Sequence, residues 1–375
     1  MYRRILLLML LSGSLWSLCA GEDRPARSWR MGGQLVFDYA HVDEETYSSD
    51  DTEIRRARLF LKGAIASRWR YEIEYSLRHG GAFKDLYLLY RPSGHFFVKT
   101  GNIKEPFGLE ALTSSKYNTF MERALPDIFM SGRKLGIVAD YFNHYRAHNL
   151  HLSAGCFNRS VNDYGSDDAR LGVVARAVHA YYFEKHNLLH LGIATAYEKL
   201  HDARLKFYGR AESHLSSEKY IRSKLKHIRR TNRIGLEALY LNRRFSLQSE
   251  YVLTKAYTRD DEDYTMGGGY LQLAYFLTDD MRRYKKRDSL FGRLHPSSVV
   301  GRGGYGALES AFRVSMLGLE EKKHRKSHMY AYTAGLNWYL RDNLRVMCDY
   351  GVVIPDADFY DYHPRILQMR LQYDF

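Results

Sequence analysis

Strict alternation of apolar and polar residues is the feature that most narrows what this chain can fold into. From residue 365 to the C-terminus the sequence reads RILQMRLQYDF. Leu367, Met369, Leu371, Tyr373 and Phe375 share one phase, and Ile366, Gln368, Arg370, Gln372 and Asp374 share the other. A period of two places these sets on opposite faces of a β-strand. Tyr71, Ile73, Tyr75 and Leu77 alternate in the same way with Arg70, Glu72, Glu74, Ser76 and Arg78, and Leu344, Val346, Cys348 and Tyr350 with Arg345, Met347 and Asp349. One such segment fits a half-buried strand of a soluble sandwich equally well. The compartment and the number of repeats separate the two readings.

The N-terminus has the pattern of a secretory signal peptide: Arg3 and Arg4, an apolar run over 5–11, and Leu18-Cys19-Ala20 before Gly21. Residues 1–20 are therefore expected to be removed, leaving 21–375 as one domain, with a lipid-modified Cys19 as the alternative. The apolar run is far shorter than the ~20 residues of a spanning helix, and no other segment is that long and apolar. Composition is unusual for an exported soluble enzyme, with 31 Tyr and 18 Phe against 7 Pro, and a net charge of +13. Cys156 and Cys348 each sit in an apolar alternating run, as small hydrophobes rather than a disulfide framework. No CxxC or Cys/His metal spacing occurs, so neither a metal nor another cofactor is expected.

Strands are expected over 30–42, 52–66, 67–78, 82–91, 95–101, 132–142, 147–158, 168–182, 187–199, 231–242, 243–257, 264–277, 304–318, 328–341, 342–354 and 365–375. That is an even number of antiparallel strands, as a closed single-chain bacterial barrel requires. Aromatic residues near the strand ends suit interfacial girdles, and the terminal Phe375 resembles the end of bacterial outer-membrane barrels. The prediction is an all-β, 16-stranded antiparallel transmembrane β-barrel. Long connections (43–51, 102–131, 159–167, 200–230 and 355–364) alternate with tight ones near Ser67, Pro92, Asn143, Asn242 and Asp342. The long set is expected outside and the tight set on the periplasmic side. Residues 278–303 break this rule, being long where a tight turn is due. Counting 204–211 as a strand would make the total odd.

Within 101–133, GNIKEPFGLEALTSSKYNTFMERALPDIFMSGR, the alternation stops. The stretch holds Pro106 and Pro126, a helical phase over 109–125 and the hydroxyl cluster Thr113, Ser114 and Ser115. Connections this long are usually functional or disordered, and Phe107, Leu109, Leu112, Phe120, Met121 and Phe129 are too many apolar anchors for disorder. Nearby, with Leu59, Leu61 and Ile65 facing lipid, Arg56, Arg58 and Lys62 line the lumen in a row. Arg55 falls on the outer phase and must lie at the strand end, at a subunit contact, or be turned inward by a bulge. Arg170 and Arg176 add charge on one face of strand 168–182. Rings of charge of this kind make anion pores, or simply solvate a water-filled channel.

The GNIKEPFGLE and TSSKYNTFMER runs resemble the phosphate-selective porin O and P family, and so do RRARLFLKG at 55–63, GALESAFR at 306–313, GLNWYLRDN at 335–343 and the closing LQYDF. The resemblance implies a trimeric sixteen-stranded barrel whose third loop, here 101–131, folds inward and narrows the pore. It implies passive uptake of phosphate or similar small anions across the bacterial outer membrane. It maps the anion-binding arginines onto Arg55 and Arg56, the loop hydroxyls onto Ser114 and Ser115 beside Lys116, and an acid onto Asp85. The family has Arg after the two glycines of its first strand, and this chain has Gln34 after Gly32-Gly33. That exchange keeps hydrogen-bond donors without the charge. Arginine offers a rigid fork of donors to phosphate oxygens, and Asp85 could accept the proton that phosphate keeps near neutral pH, or pair with a lumen arginine.

A general or sugar-conducting porin with a Tyr-rich lumen is the alternative. An outer-membrane enzyme would need a nucleophile and a base, and no GxSxG elbow appears. A purely structural or adhesive barrel is the third reading. The basic runs at 200–230 and 319–327 suit an anion-attracting face or lipopolysaccharide phosphates better than nucleic acid in an exported barrel.

Overall fold

A computed structural model describes residues 28–44, 47–78, 80–163, 171–259, 262–321, 325–356 and 362–375. Sixteen antiparallel strands close into one barrel. In chain order they are β1 (Ser28–Asp43), β2 (Ser48–Ala64), β3 (Trp69–Ser76), β4 (Ala82–Tyr90), β5 (Phe96–Lys104), β6 (Arg133–Tyr145), β7 (His148–Phe157) and β8 (Leu171–Glu184). There follow β9 (Asn187–Gly209), β10 (Ile221–Asn242), β11 (Phe245–Thr258), β12 (Asp263–Phe276), β13 (Ala307–Glu320), β14 (Lys326–Arg341), β15 (Leu344–Ile354) and β16 (Arg365–Asp374). Each pairs with its sequence neighbours, and β1 closes on β16 with Gln34 opposite Asp374. Closure leaves no unpaired edge, which is what lets a sheet span a bilayer.

Burial follows the alternation, inverted relative to a soluble protein. Met369, Leu371 and Tyr373 are exposed on the outer face, while Gln368, Arg370, Gln372 and Asp374 are buried on the inner one. On β2, Leu59 is exposed and Leu61 half-exposed, whereas Arg56 is buried; Ile65, just past the strand end, is also exposed. The apolar phase faces outward because the surrounding solvent is hydrocarbon.

The expected loop at 200–230 is largely strand. β9 and β10 run past their outer neighbours as a two-stranded extension that pairs from Ile228 to Gly209 and Ile221. Segment 204–211 thus belongs mostly to β9 and leaves the count even. The alternation simply continues: Ala203, Ile221 and Leu225 join Leu317, Leu319 and Met329 in one buried cluster, while Arg204, Lys206, Arg222 and Lys224 are exposed. Register shifts around Ile228 bend the ribbon. The connection 43–51 shrinks to the few residues between β1 and β2, and β5 runs on to Lys104, so the expected 101–131 loop spans 105–132.

Residues 277–306, the long connection at the tight-turn end, pack against the inner face. They carry a small hairpin, Tyr284–Lys285 with Leu290–Phe291. Arg282 pairs with Glu309 at 2.7 Å, Tyr284 contacts His190 Nδ1 at 2.8 Å, and Phe291 is buried with Leu188, Leu239, Leu241 and Leu109. Its length is the reach needed to meet the other long connection.

Candidate functional site

The 105–132 segment is tied to inward-facing side chains of many strands. Its helical phase breaks into a single α-turn, Leu109–Leu112, and a 3-10 turn, Leu125–Phe129, instead of the continuous helix expected over 109–125. Two wall carboxylates and one wall lysine explain the break. Glu250 on β11 accepts hydrogen bonds from the Leu109 and Glu110 amides, both at 2.7 Å, and so satisfies the start of the first turn. Lys104 then takes the carbonyls of Ala111, Leu112 and Thr113 at 2.5, 3.2 and 3.3 Å, which ends it. Asp349 on β15 accepts from the Met121 amide at 2.8 Å. Arg345 holds the Asn118 and Thr119 carbonyls at 2.8 and 2.9 Å, Arg233 holds that of Phe129 at 2.8 Å, and Arg370 that of Met121.

Two glycines in the wall make room for the anchors. A Cβ at Gly235 or Gly335 would lie 2.9 Å from ring atoms of Phe107 or Phe120, respectively. Phe107, Leu109, Phe120, Met121 and Phe129 are all buried, and Leu112 is half-buried.

The charged residues of β2 are mostly paired. The register shift between Val36 and Phe37 leaves Arg55 as the bulged residue, and it forks onto Glu122 of the 105–132 segment at 2.8 and 2.9 Å. Of the three placements open for Arg55 in the sequence, the bulge is the one found. Burial opposes the Glu122 charge, but Arg55 and Arg370 outweigh it and hold this carboxyl well below its ordinary pKa. Arg58 bonds Glu74 at 3.0 Å, and Lys62 lies 3.6 Å from Glu72. Arg56 differs. It is 8% exposed, makes no ion pair among the described residues, and its Nη1 has no hydrogen-bond partner in the protein. Gln34, 1% exposed and opposite Arg58, likewise has neither amide atom bonded.

Asp85 is forked by Arg133 at 3.0 and 2.7 Å. Arg176 pairs with Glu237 at 2.9 and 2.7 Å, and Arg170 lies outside the described residues. Ser114 is exposed and Ser115 half-exposed, and neither hydroxyl is hydrogen-bonded among the described residues. Lys116 reaches the Gly33 carbonyl at 3.4 Å and Asp374 at 3.5 Å, and burial pulls its pKa below the ordinary lysine value.

The sequence reading missed a second set of cations. Lys104, Arg123 and Arg133 line a cavity of about 70 Å³ with Ser131 and Glu105. Lys104 and Arg345 carry no carboxylate partner among the described residues. Arg345 was visible on the inner phase of its strand. Arg123 and Arg133 lie in or at the end of a segment without periodicity, where no pattern marks direction.

Comparison with known proteins agrees with this fold. The model of the phosphate-selective porin O and P family matches residues 30–375. Porin O of Pseudomonas aeruginosa is 27% identical over 86% of this chain and 82% of its own length. An uncharacterized protein of Caulobacter vibrioides is 28% identical over 93% of this chain and 74% of its own. Among solved structures, the anion-selective porin of Comamonas acidovorans superposes with a TM-score of 0.59 at 12% identity, covering 93% of this chain and all of that one. In-vitro folded OmpT of Vibrio cholerae gives 0.59 at 10% identity, covering 95% and 100%.

Proposed function

The chain belongs to the phosphate-selective porin O and P family of the bacterial outer membrane, and from that premise we propose how it selects anions. The 105–132 segment is the constriction, and phosphate or similarly small oxyanions are the passengers. Three copies assemble in the membrane, with lipopolysaccharide phosphates as neighbours of the basic β9–β10 extension. Fold and family are those of a channel rather than an enzyme.

The observation that carries the selectivity is the set of inner-face cations left over once the carboxylates have taken their partners. Arg56, Lys104 and Arg345 have no carboxylate partner among the described residues, in a wall that mostly pairs arginine with carboxylate. A partly desolvated cation attracts an anion far more strongly than one in bulk water. The unbonded Ser114 and Ser115 hydroxyls are free to replace water around an ion. Binding spread over several such groups stays weak enough for release.

Gln34 sets this chain apart from its family. Its amide can donate to an oxyanion but adds no charge, so phosphate is expected to bind less tightly here than with Arg at that position. The pairing of Arg55, Arg58, Arg133 and Arg176 favours the alternative of a general or sugar-conducting pore, because it removes most of the positive field. Phosphate block of single-channel chloride current decides between them. Block that weakens in Arg56→Ala and tightens in Gln34→Arg supports the anion reading; no phosphate block in the unaltered protein sinks it. For the constriction, Ser115→Cys should react with a small permeant thiol reagent and lose conductance. Full reaction with a reagent too bulky for the lumen would place the segment elsewhere.

A further inference from the structure

We infer a second oxyanion site at the tight-turn end of the pore, built jointly by the 105–132 segment, the 277–306 connection and the last strands. The proposal rests on the anion-channel reading above and adds a place and a chemistry to it. A cleft of about 30 Å³ lies where these elements meet, lined on its basic side by Lys116, Arg283, Arg293 and Arg345 and on its acceptor side by Gln372 and Asp374.

Three observations make this more than a charged surface. Arg345 is 3% exposed, has no carboxylate partner among the described residues, and its Nε has no hydrogen-bond partner in the protein although both terminal nitrogens are engaged. A buried guanidinium in that state calls for an acceptor. Gln372, 4% exposed, donates its amide to the Lys116 carbonyl at 3.2 Å while its Oε1 stays unpaired. Asp374 meets cations only at long range, Lys116 and Arg293 each at 3.5 Å, and its Oδ1 makes no hydrogen bond.

The cleft therefore offers donors on one side and buried acceptors on the other. A fully deprotonated anion would satisfy the first and be repelled by the second. A tetrahedral oxyanion that still carries a proton satisfies both, accepting from Arg345 and Lys116 and donating to Asp374 or Gln372. The ligand class is a small, singly or doubly charged, protonated oxyanion such as hydrogen phosphate. The 277–306 connection has a reason for its length: it carries Arg283 and Arg293 to the loop's Lys116.

The test is chloride current through the whole protein in planar bilayers, with inorganic phosphate or sulfate added on the tight-turn side. Phosphate should block at lower concentration than sulfate. Arg345→Gln should raise the half-blocking phosphate concentration about tenfold or more, as expected for one hydrogen bond to a charged group. Because Arg345 also holds two loop carbonyls, Arg283→Gln provides a second variant at an exposed side chain with no ion pair among the described residues. It should weaken the block several-fold. Asp374→Asn should narrow the gap between phosphate and sulfate, since an amide brings donors. Unchanged turn-side block in Arg283→Gln and Gln372→Leu, in a pore that is still anion-selective, would overturn the site while leaving the channel reading intact. Equal block by sulfate and phosphate in the unaltered protein would overturn the protonated-ligand assignment. A pore with no anion preference would remove the premise of both.

Discussion

The two long connections, 105–132 and 277–306, reach the inner face from opposite ends of the barrel and are held by opposite means. Residues 105–132 are gripped mainly by their own main chain. The amides of Leu109, Glu110 and Met121 and the carbonyls of Asn118, Thr119, Met121 and Phe129 are bonded by wall side chains. Residues 277–306 are held mainly by side chains of their own: Arg282 on Glu309, Tyr284 on His190, and Phe291 in its apolar cluster. The shape of the first is thus dictated largely by the wall, which leaves the exposed Ser114 and half-exposed Ser115 to meet solutes. The second must spend its side chains on holding itself in place.

The largest effects should come from stripping a buried carboxylate of its arginine, about 3–5 kcal/mol in either region. Arg370 bonds both Asp38 oxygens and Glu122, so Arg370→Leu should loosen 105–132 and open a trypsin site at Arg123. Arg282→Leu should instead expose 277–306 to cleavage at Arg283, Lys285 and Lys286. Both variants opening both segments would show that the two anchors are one cooperative unit.

Acidity should next probe the first region, where two carboxyls respond in opposite senses. Glu110 accepts from the Ala124 amide at 3.1 Å, and burial pushes its pKa up to about 7 from an ordinary 4.5. The folded protein then holds a proton that the unfolded chain has released between those values. This group's contribution is greatest below pH 4.5 and falls as pH rises through 7, by about 3 kcal/mol at most. Glu122 acts in the opposite sense, stabilising above the ordinary carboxylate pKa and ceasing to do so as pH falls well below it. Glu110→Gln should flatten the loss of thermal stability between pH 4.5 and 7, and an unaltered slope would assign it to other groups.

Smaller again is the packing of the first region on its glycine seats. Gly335→Ala puts a methyl group 2.9 Å from the Phe120 ring and should cost about 1–3 kcal/mol by overpacking. Ser114→Ala, at an exposed side chain with no internal bond, should change thermal stability by less than about 0.5 kcal/mol. If the serine variant proved the more damaging, the segment would be held by its side chains after all.

How much of this could be read from the sequence follows from the same physics. The sixteen strands were legible because lipid on one face and water on the other write the period of two into every strand. The extension of β9 was not, because its alternation sets Lys206 and Arg204 against Leu205 and Ala203, and basic residues in a long connection look like loop. Bonds between residues far apart in the sequence were not legible. Arg55 meets Glu122 over a separation of 67 residues, Arg176 meets Glu237 over 61, and Arg370 meets Asp38 over 332. Nothing local to any of these arginines marks it as paired, and nothing local to Arg56 marks it as unpaired. The row Arg56, Arg58, Lys62 is therefore two different things in the folded chain: one cation with no ion pair among the described residues, and two paired ones.

The most direct measurement is the zero-current potential of the unaltered protein across a potassium chloride gradient, with Arg56→Ala recorded beside it. One charge contact near 4 Å at an effective dielectric of 20 is worth about 4 kcal/mol before desolvation, enough to move a permeability ratio measurably. The expected result is an anion-selective potential that shifts toward zero in Arg56→Ala. A potential that is already cation-selective, or one that Arg56→Ala leaves in place, would contradict selection by unmatched inner-face cations.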